Sequence, residues 1–345
     1  MENKGAYLVG KQQYDIMDAP MPAIVNDTDV LIRIEYVGIC GADIDMWEKG
    51  RYGIFDVEYP QIIGHEASGV VVEIGKAVTN LKPGDKVALE PGVPCGTCDR
   101  CIEGDYNLCG GVIFKGAPPV TGCNQFYVTH PAQWCFVLPG DLSTRDGALL
   151  EPLAVGMHAA NQGGVGMGDT VVICGGGTIG LCTLNACKSK GATKIIIIEQ
   201  SPARIKAAEK MGAVVVDFSK CDAVEKVMEL TGGCGADVVI EASGNAKAFL
   251  QTIDLLRGGG TIVCIGLGPN PVIDFNYQAA IYKEATIKTV ARYRHVYPRC
   301  ISGLEAGLLS TEGIITHEYG YEDIQEAYVF AVNNKDIAIK TIIKY

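Results

Sequence analysis

Residues 170–180, Thr170-Val171-Val172-Ile173-Cys174-Gly175-Gly176-Gly177-Thr178-Ile179-Gly180, decide the fold. A short run rich in β-branched residues leads straight into G-x-G-x-x-G, and a strand, glycine loop and helix in that order mark a dinucleotide-binding turn. Gly175 permits the tight turn, Gly177 lets the backbone approach a pyrophosphate, and Gly180 lets the helix lie close to the strand. Thr178 and Ile179 open that helix, whose N-terminus offers N–H donors and the positive end of a dipole. The next apolar run, 195–198, ends in Glu199, where a carboxylate can accept hydrogen bonds from ribose hydroxyls and would repel a 2′-phosphate. NAD is therefore expected rather than NADP, with Arg204 the nearby basic group that can reach a phosphate.

Outward from this turn, further wholly apolar runs at 214–216, 237–240 and 261–265 alternate with helical stretches. Ser201-Pro202 reads as a helix start, and Gly212 as its end. Strands apolar on both faces predict a parallel sheet covered by helices, an α/β doubly wound arrangement. The first 150 or so residues differ: Gly and Pro punctuate short β-branched runs at 30–34, 69–74 and 86–89, which predicts a β-rich, loop-rich part. Apolar residues alternate again over 336–344, a strand returning to another sheet, so the parallel-sheet domain is read as an insertion.

A length of 345 residues suits two domains. With 48% hydrophobic and 20% charged residues, burial can offset chain entropy. The net charge of -11 works against nucleic acid, whose binding rests on Lys and Arg neutralising phosphates. No apolar stretch approaches the roughly 18 residues of a membrane span, and the N-terminus lacks a signal-peptide core, so a cytoplasmic protein is expected. The 14 cysteines read as reduced thiols and metal thiolates rather than disulfides.

Four of them, Cys95, Cys98, Cys101 and Cys109, are spaced C-x2-C-x2-C-x7-C in a Gly- and Pro-rich loop. Four thiolates meet the tetrahedral demand of a closed structural zinc site; an iron–sulfur cluster is the rival, since clusters also use C-x2-C-x2-C. A second set is dispersed: Cys40, His65, Glu66 and Glu151. One thiolate, one imidazole and a carboxylate leave a zinc position open for water or an alcohol oxygen, as catalytic zinc requires.

On these residues the chain is similar to the medium-chain zinc dehydrogenases over essentially its whole length. The most specific match is Gly64-His65-Glu66-x2-Gly69-x5-Gly75-x2-Val78, in order with Cys40, the four-cysteine lobe and the glycine fingerprint. The resemblance implies a GroES-like catalytic domain over 1–153 and 291–345, with a structural-zinc lobe at 90–110. A Rossmann NAD-binding domain would then occupy 154–290, with the active site between the two.

Within that family the chain most resembles the sorbitol (polyol) dehydrogenases, through Gly38-Ile39-Cys40-Gly41, Glu90-Pro91-Gly92, Tyr106-Asn107-Leu108 and Glu151-Pro152-Leu153. This implies two zinc ions per subunit, one catalytic on Cys40, His65 and Glu66, with Glu151 binding zinc or holding its water. It also implies a polyol contacted by Arg292 and Tyr293, and a homo-oligomer, tetramer or dimer. Ala42 and Asp45 stand where relatives carry a hydroxyl and a histidine, and Met46 replaces a tyrosine common in the polyol branch. The hydroxyl-to-histidine proton relay therefore lacks both members, which leaves Glu151 with water as the expected proton acceptor. Rival substrates are a vicinal diol such as butanediol, or threonine; a non-catalytic nucleotide-binding relative is the reading from another class.

Overall fold

Every apolar run of the middle third becomes a parallel strand in the computed structural model, which describes residues 2–53, 55–269 and 272–345. Thr170–Cys174 lies between Lys194–Glu199 and Ala236–Glu241, with Val214–Asp217 outside the former and Leu256–Cys264 then Thr286–Thr289 outside the latter. All pairings in this six-stranded sheet of described residues are parallel. Val172, Ile173, Ile196, Ile197, Val239 and Ile240 are wholly buried, as strands covered on both faces require. Strand order reverses beside Thr170–Cys174, so the loops after Cys174 and Glu241 diverge there and open a crevice. Ser201 caps the helix Pro202–Lys210, and the chain turns at Gly212.

The β-rich part forms a second sheet in the order Cys135–Val137, Lys86–Leu89, Glu66–Ile74, Asp29–Gly38, Lys340–Lys344, Ile315–Gly320, with Tyr127–Pro131 also on Asp29–Gly38. The C-terminal strand thus returns to the N-terminal sheet, as the alternation at 336–344 predicts. Its pairing of Ile342 with Gly38, and of Gly38 with Glu66 across the next strand, brings three remote segments to one point.

Residues 1–151, 297–305 and 315–345 make up one unit, and 152–296 with 306–314 the other. This departs from the expected division at 153/154 and 290/291. Val290 still donates to the Cys264 carbonyl at 2.9 Å, which ties the chain after the last parallel strand to that sheet. Residues 306–314 stay with the same unit because Asn185 exchanges hydrogen bonds with the Ser310 backbone and Lys210 pairs with Glu312 at 2.7 Å. No described helix is long and apolar enough to cross a membrane.

His130, 1% exposed, places Nε2 2.9 Å from the Glu90 carbonyl, so the neutral ring donates there. Burial, with Lys115 adding to it, pushes its pKa down from 6.5 to about 3. The unfolded chain therefore takes up a proton below about pH 6.5 that the folded chain refuses until about pH 3. Stability is lost as pH falls through that window, by roughly 2 kcal/mol at pH 5 for this group. His130→Gln keeps the donor without titrating, and its melting temperature should drop several degrees less than wild type between pH 7 and pH 5. Parallel pH profiles would show that the ring carries no such linkage.

Candidate metal and dinucleotide sites

Cys40 ends the approach from the strand Asp29–Gly38 and caps the helix Gly41–Lys49, while Glu66 begins the strand Glu66–Ile74. The pairing of Gly38 with Glu66 draws these segments together, and Gly38 must lack a side chain because a Cβ there would collide with Glu66 Oε2. Donor atoms of Cys40, His65 and Glu66 consequently lie within 4.8 Å of one another, with His65 and Glu66 buried. Glu151 sits 7% exposed in the first turn of Leu150–Gln162 and is not a member of this group.

Asp43 organises the cluster from behind. Its Oδ2 accepts from the Cys40 backbone N–H at 3.0 Å, and its Oδ1 lies 3.3 Å from His65 Nδ1. That contact sets a carboxylate beside one ring nitrogen at ion-pair distance, the kind of carboxylate–histidine pairing that orients a metal ligand, with Nε2 the remaining nitrogen. Burial opposes charge on His65, but Asp43 and Cys40 outweigh it and hold the pKa well above 6.5; burial pushes the Cys40 thiol up despite His65. The Phe114 ring stands edge-on to His65, centroids 5.3 Å apart, and covers it with apolar surface. Thiol, imidazole and carboxylate converging in a buried place suit zinc with a position to spare.

The other four cysteines form the second group. Sγ–Sγ distances are 3.5 Å for Cys98–Cys101, 3.5 Å for Cys95–Cys109 and 3.9 Å for Cys95–Cys101. Four sulfurs tetrahedral at about 2.3 Å from zinc stand about 3.8 Å apart, close to what is seen, whereas a disulfide needs about 2.05 Å. Backbone N–H groups of Thr97 and Cys98 draw the Cys95 thiol down from its usual range, which favours the thiolate a metal needs.

In the parallel-sheet unit the glycine loop joins the strand Thr170–Cys174 to the helix Thr178–Ser189. Gly180 cannot carry a Cβ, which would strike the Gly175 carbonyl. Gly177, Thr178 and Ile179 lie at the start of the helix Thr178–Ser189, and the crevice is a cavity of about 530 Å³ lined by Gly175, Gly177, Glu199, Arg204 and Ser243 among others. Glu199 Oε2 accepts from Gly176 N–H at 2.9 Å, and Oε1 accepts from Gln200 and Ser201 N–H, with Arg204 Nη1 3.7 Å away. A strand end, open glycine backbone and a fixed acid fit a dinucleotide. Arg292 and Tyr293 also belong to this unit, although their expected place was the catalytic domain; Arg292 has φ 56° and Tyr293 is buried.

Two family models match: alcohol dehydrogenase GroES-like domain over 26–140, and zinc-binding dehydrogenase over 178–306. An uncharacterised zinc-type alcohol dehydrogenase-like protein of Escherichia coli is 40% identical, covering 100% of this chain and 99% of its own. The chain belongs to the zinc-binding alcohol dehydrogenase family. It is therefore an oxidoreductase with a GroES-like domain and a Rossmann-like parallel-sheet domain. Sorbitol dehydrogenase of Bacillus subtilis is 37% identical over 99% of this chain and 96% of its own. The crystal structure of 2R,3R-butanediol dehydrogenase from Bacillus subtilis superposes with TM-score 0.90 at 30% identity, covering 99% of each.

Asp43 is assigned no role from the sequence alone, although Cys40 followed three residues later by an acid is a capping-box spacing. Phe114 carries no such signal. Asp43→Asn should lower zinc affinity at the Cys40 site by about 10- to 100-fold while leaving the four-cysteine site filled. Titration with a chromophoric chelator reads this, and unchanged affinity at both sites would remove Asp43 from the account.

Proposed function

We propose that the protein oxidises a secondary hydroxyl of a polyol, sorbitol- or xylitol-like, to a ketose, reversibly and with NAD. The observation carrying this reading is the convergence of Cys40 with the buried His65 and Glu66 on one point. The polyol class is supported by Glu151-Pro152-Leu153 and Arg292-Tyr293 and by the sorbitol dehydrogenase relative. NAD is supported by the Glu199 carboxylate fixed at the rim of the glycine loop, where a 2′-phosphate would meet negative charge.

When bound, zinc supplies a Lewis-acid position for a hydroxyl oxygen and NAD supplies the hydride acceptor. Cys40, His65 and Glu66 would hold the metal, Asp43 orients the imidazole, and Phe114 packs apolar surface against that ring. Cys95, Cys98, Cys101 and Cys109 would hold a second zinc, whose four thiolate ligands would close the loop and leave no position for chemistry. Ala42 has no hydroxyl, and Asp45 is exposed and paired with Lys49 at 2.6 Å. No relay leads away through them, so Glu151 takes the substrate proton through water. Arg292 and Tyr293 are the candidates for hydroxyls remote from the reacting carbon.

NADH formation measured over sorbitol, xylitol, galactitol, butanediol and threonine, with NAD and with NADP, tests this reading. Polyols with NAD should give the highest kcat/KM. Butanediol ahead of every polyol would favour the diol reading that the 30% identical structure supports, and no turnover with any substrate would contradict both. On the best substrate, Glu151→Gln should lower turnover about 100- to 10,000-fold with zinc and NAD retained; near-normal turnover rules Glu151 out as the acceptor.

A further inference from the structure

Lys340 forms a buried ion pair with Glu66. Its Nζ lies 2.8 Å from Glu66 Oε1 and 2.7 Å from Oε2, and donates to the Ile39 carbonyl at 2.9 Å. The two side chains are only 3% and 1% exposed. The ammonium thus donates both to the Glu66 carboxylate and to the residue beside Cys40. The fold brings it there: Lys340 starts the C-terminal strand, Ile39 N–H donates to the Thr341 carbonyl at 3.0 Å, and Ile342 pairs with Gly38. The Cys40–His65–Glu66 cluster therefore carries an internal cation on the carboxylate that a metal would use.

We propose that Lys340 is a positioning residue that weakens zinc's hold on the catalytic cluster by competing for Glu66, an inference resting on the zinc reading above. Without metal, Lys340 is what balances the buried Glu66 carboxylate, and removing it leaves that charge unpaired. With metal bound, zinc itself supplies opposite charge. Loss of Lys340 therefore raises the free energy of the metal-free protein more than that of the loaded one, and the difference emerges as tighter binding. A lysine that merely braced the strand would weaken both states equally and leave zinc affinity unmoved; one that presented Glu66 to the metal would lower affinity when lost.

The test uses full-length protein with Lys340→Met, Glu66→Gln and the double variant. Zinc affinity is read by chelator competition for the equivalent that Cys40→Ser lacks. Lys340→Met should bind that zinc about tenfold tighter or more, and the zinc-induced rise in its melting temperature should exceed that of wild type. In the Glu66→Gln background the same change should shift affinity by no more than about twofold, because the effect acts through Glu66. Lys340→Arg, which keeps the charge, should match wild type. Unchanged or weaker binding in Lys340→Met, an equal gain in the Gln background, or failure of Lys340→Met to fold even with zinc would overturn the proposal. If Cys40→Ser loses no zinc, the catalytic-zinc reading itself fails, and the competition falls with it.

Discussion

A carboxylate, a thiol and an imidazole whose donor atoms lie within 4.8 Å of one another, the carboxylate and imidazole buried, form an arrangement that folding tolerates only when their charges are balanced. Much of the β-rich unit is arranged around that requirement. Asp43 meets His65 and the Cys40 backbone, Lys340 meets Glu66, and glycine at position 38 leaves room for the carboxylate. Each partner arrives from a different segment: Asp43 from a helix, Lys340 from the last strand, and Gly38 from a central one. The site therefore depends on the register of Asp29–Gly38 against both Glu66–Ile74 and Lys340–Lys344. A one-residue slip would turn every alternate side chain to the wrong face.

The parallel-sheet unit solves a separate problem with other means. Its strands need only be apolar on both faces, and the polar work falls to a glycine loop and the acid on the neighbouring strand. Glu199 is itself satisfied by three backbone N–H groups, so the carboxylate is held rigid instead of swinging in solvent. Such fixed placement suits discrimination between a ribose hydroxyl and a phosphate, because a group already in position loses little conformational freedom on binding.

What was legible in the sequence follows from how local each signal is. The strand–loop–helix of 170–180 and the four-cysteine loop state their geometry in adjacent residues, and the structure has that strand, turn and helix and those four thiols gathered together. Cys40, His65 and Glu66 were joined only through a family resemblance, because spacing cannot reveal that Gly38 pairs with Glu66. Lys340 gave no sign at all: a lysine near the C-terminus reads as a solvated charge until the last strand is seen to dock beside Ile39. The domain boundary near 291 was misplaced for the converse reason. The alternation of strand and helix fades there, yet Val290 and the residues around Ser310 remain hydrogen-bonded to the parallel-sheet unit.

The central claim is that the buried cluster holds a metal with an open position, distinct from the four-thiol site. Anomalous scattering at the zinc edge, from crystals grown with zinc, addresses it most directly. Two peaks per chain are predicted, one at bonding distance from Cys40 Sγ, His65 Nε2 and a Glu66 oxygen, the other central to Cys95, Cys98, Cys101 and Cys109. A single peak confined to the four cysteines, or a second peak that avoids Cys40 and His65, would contradict the account.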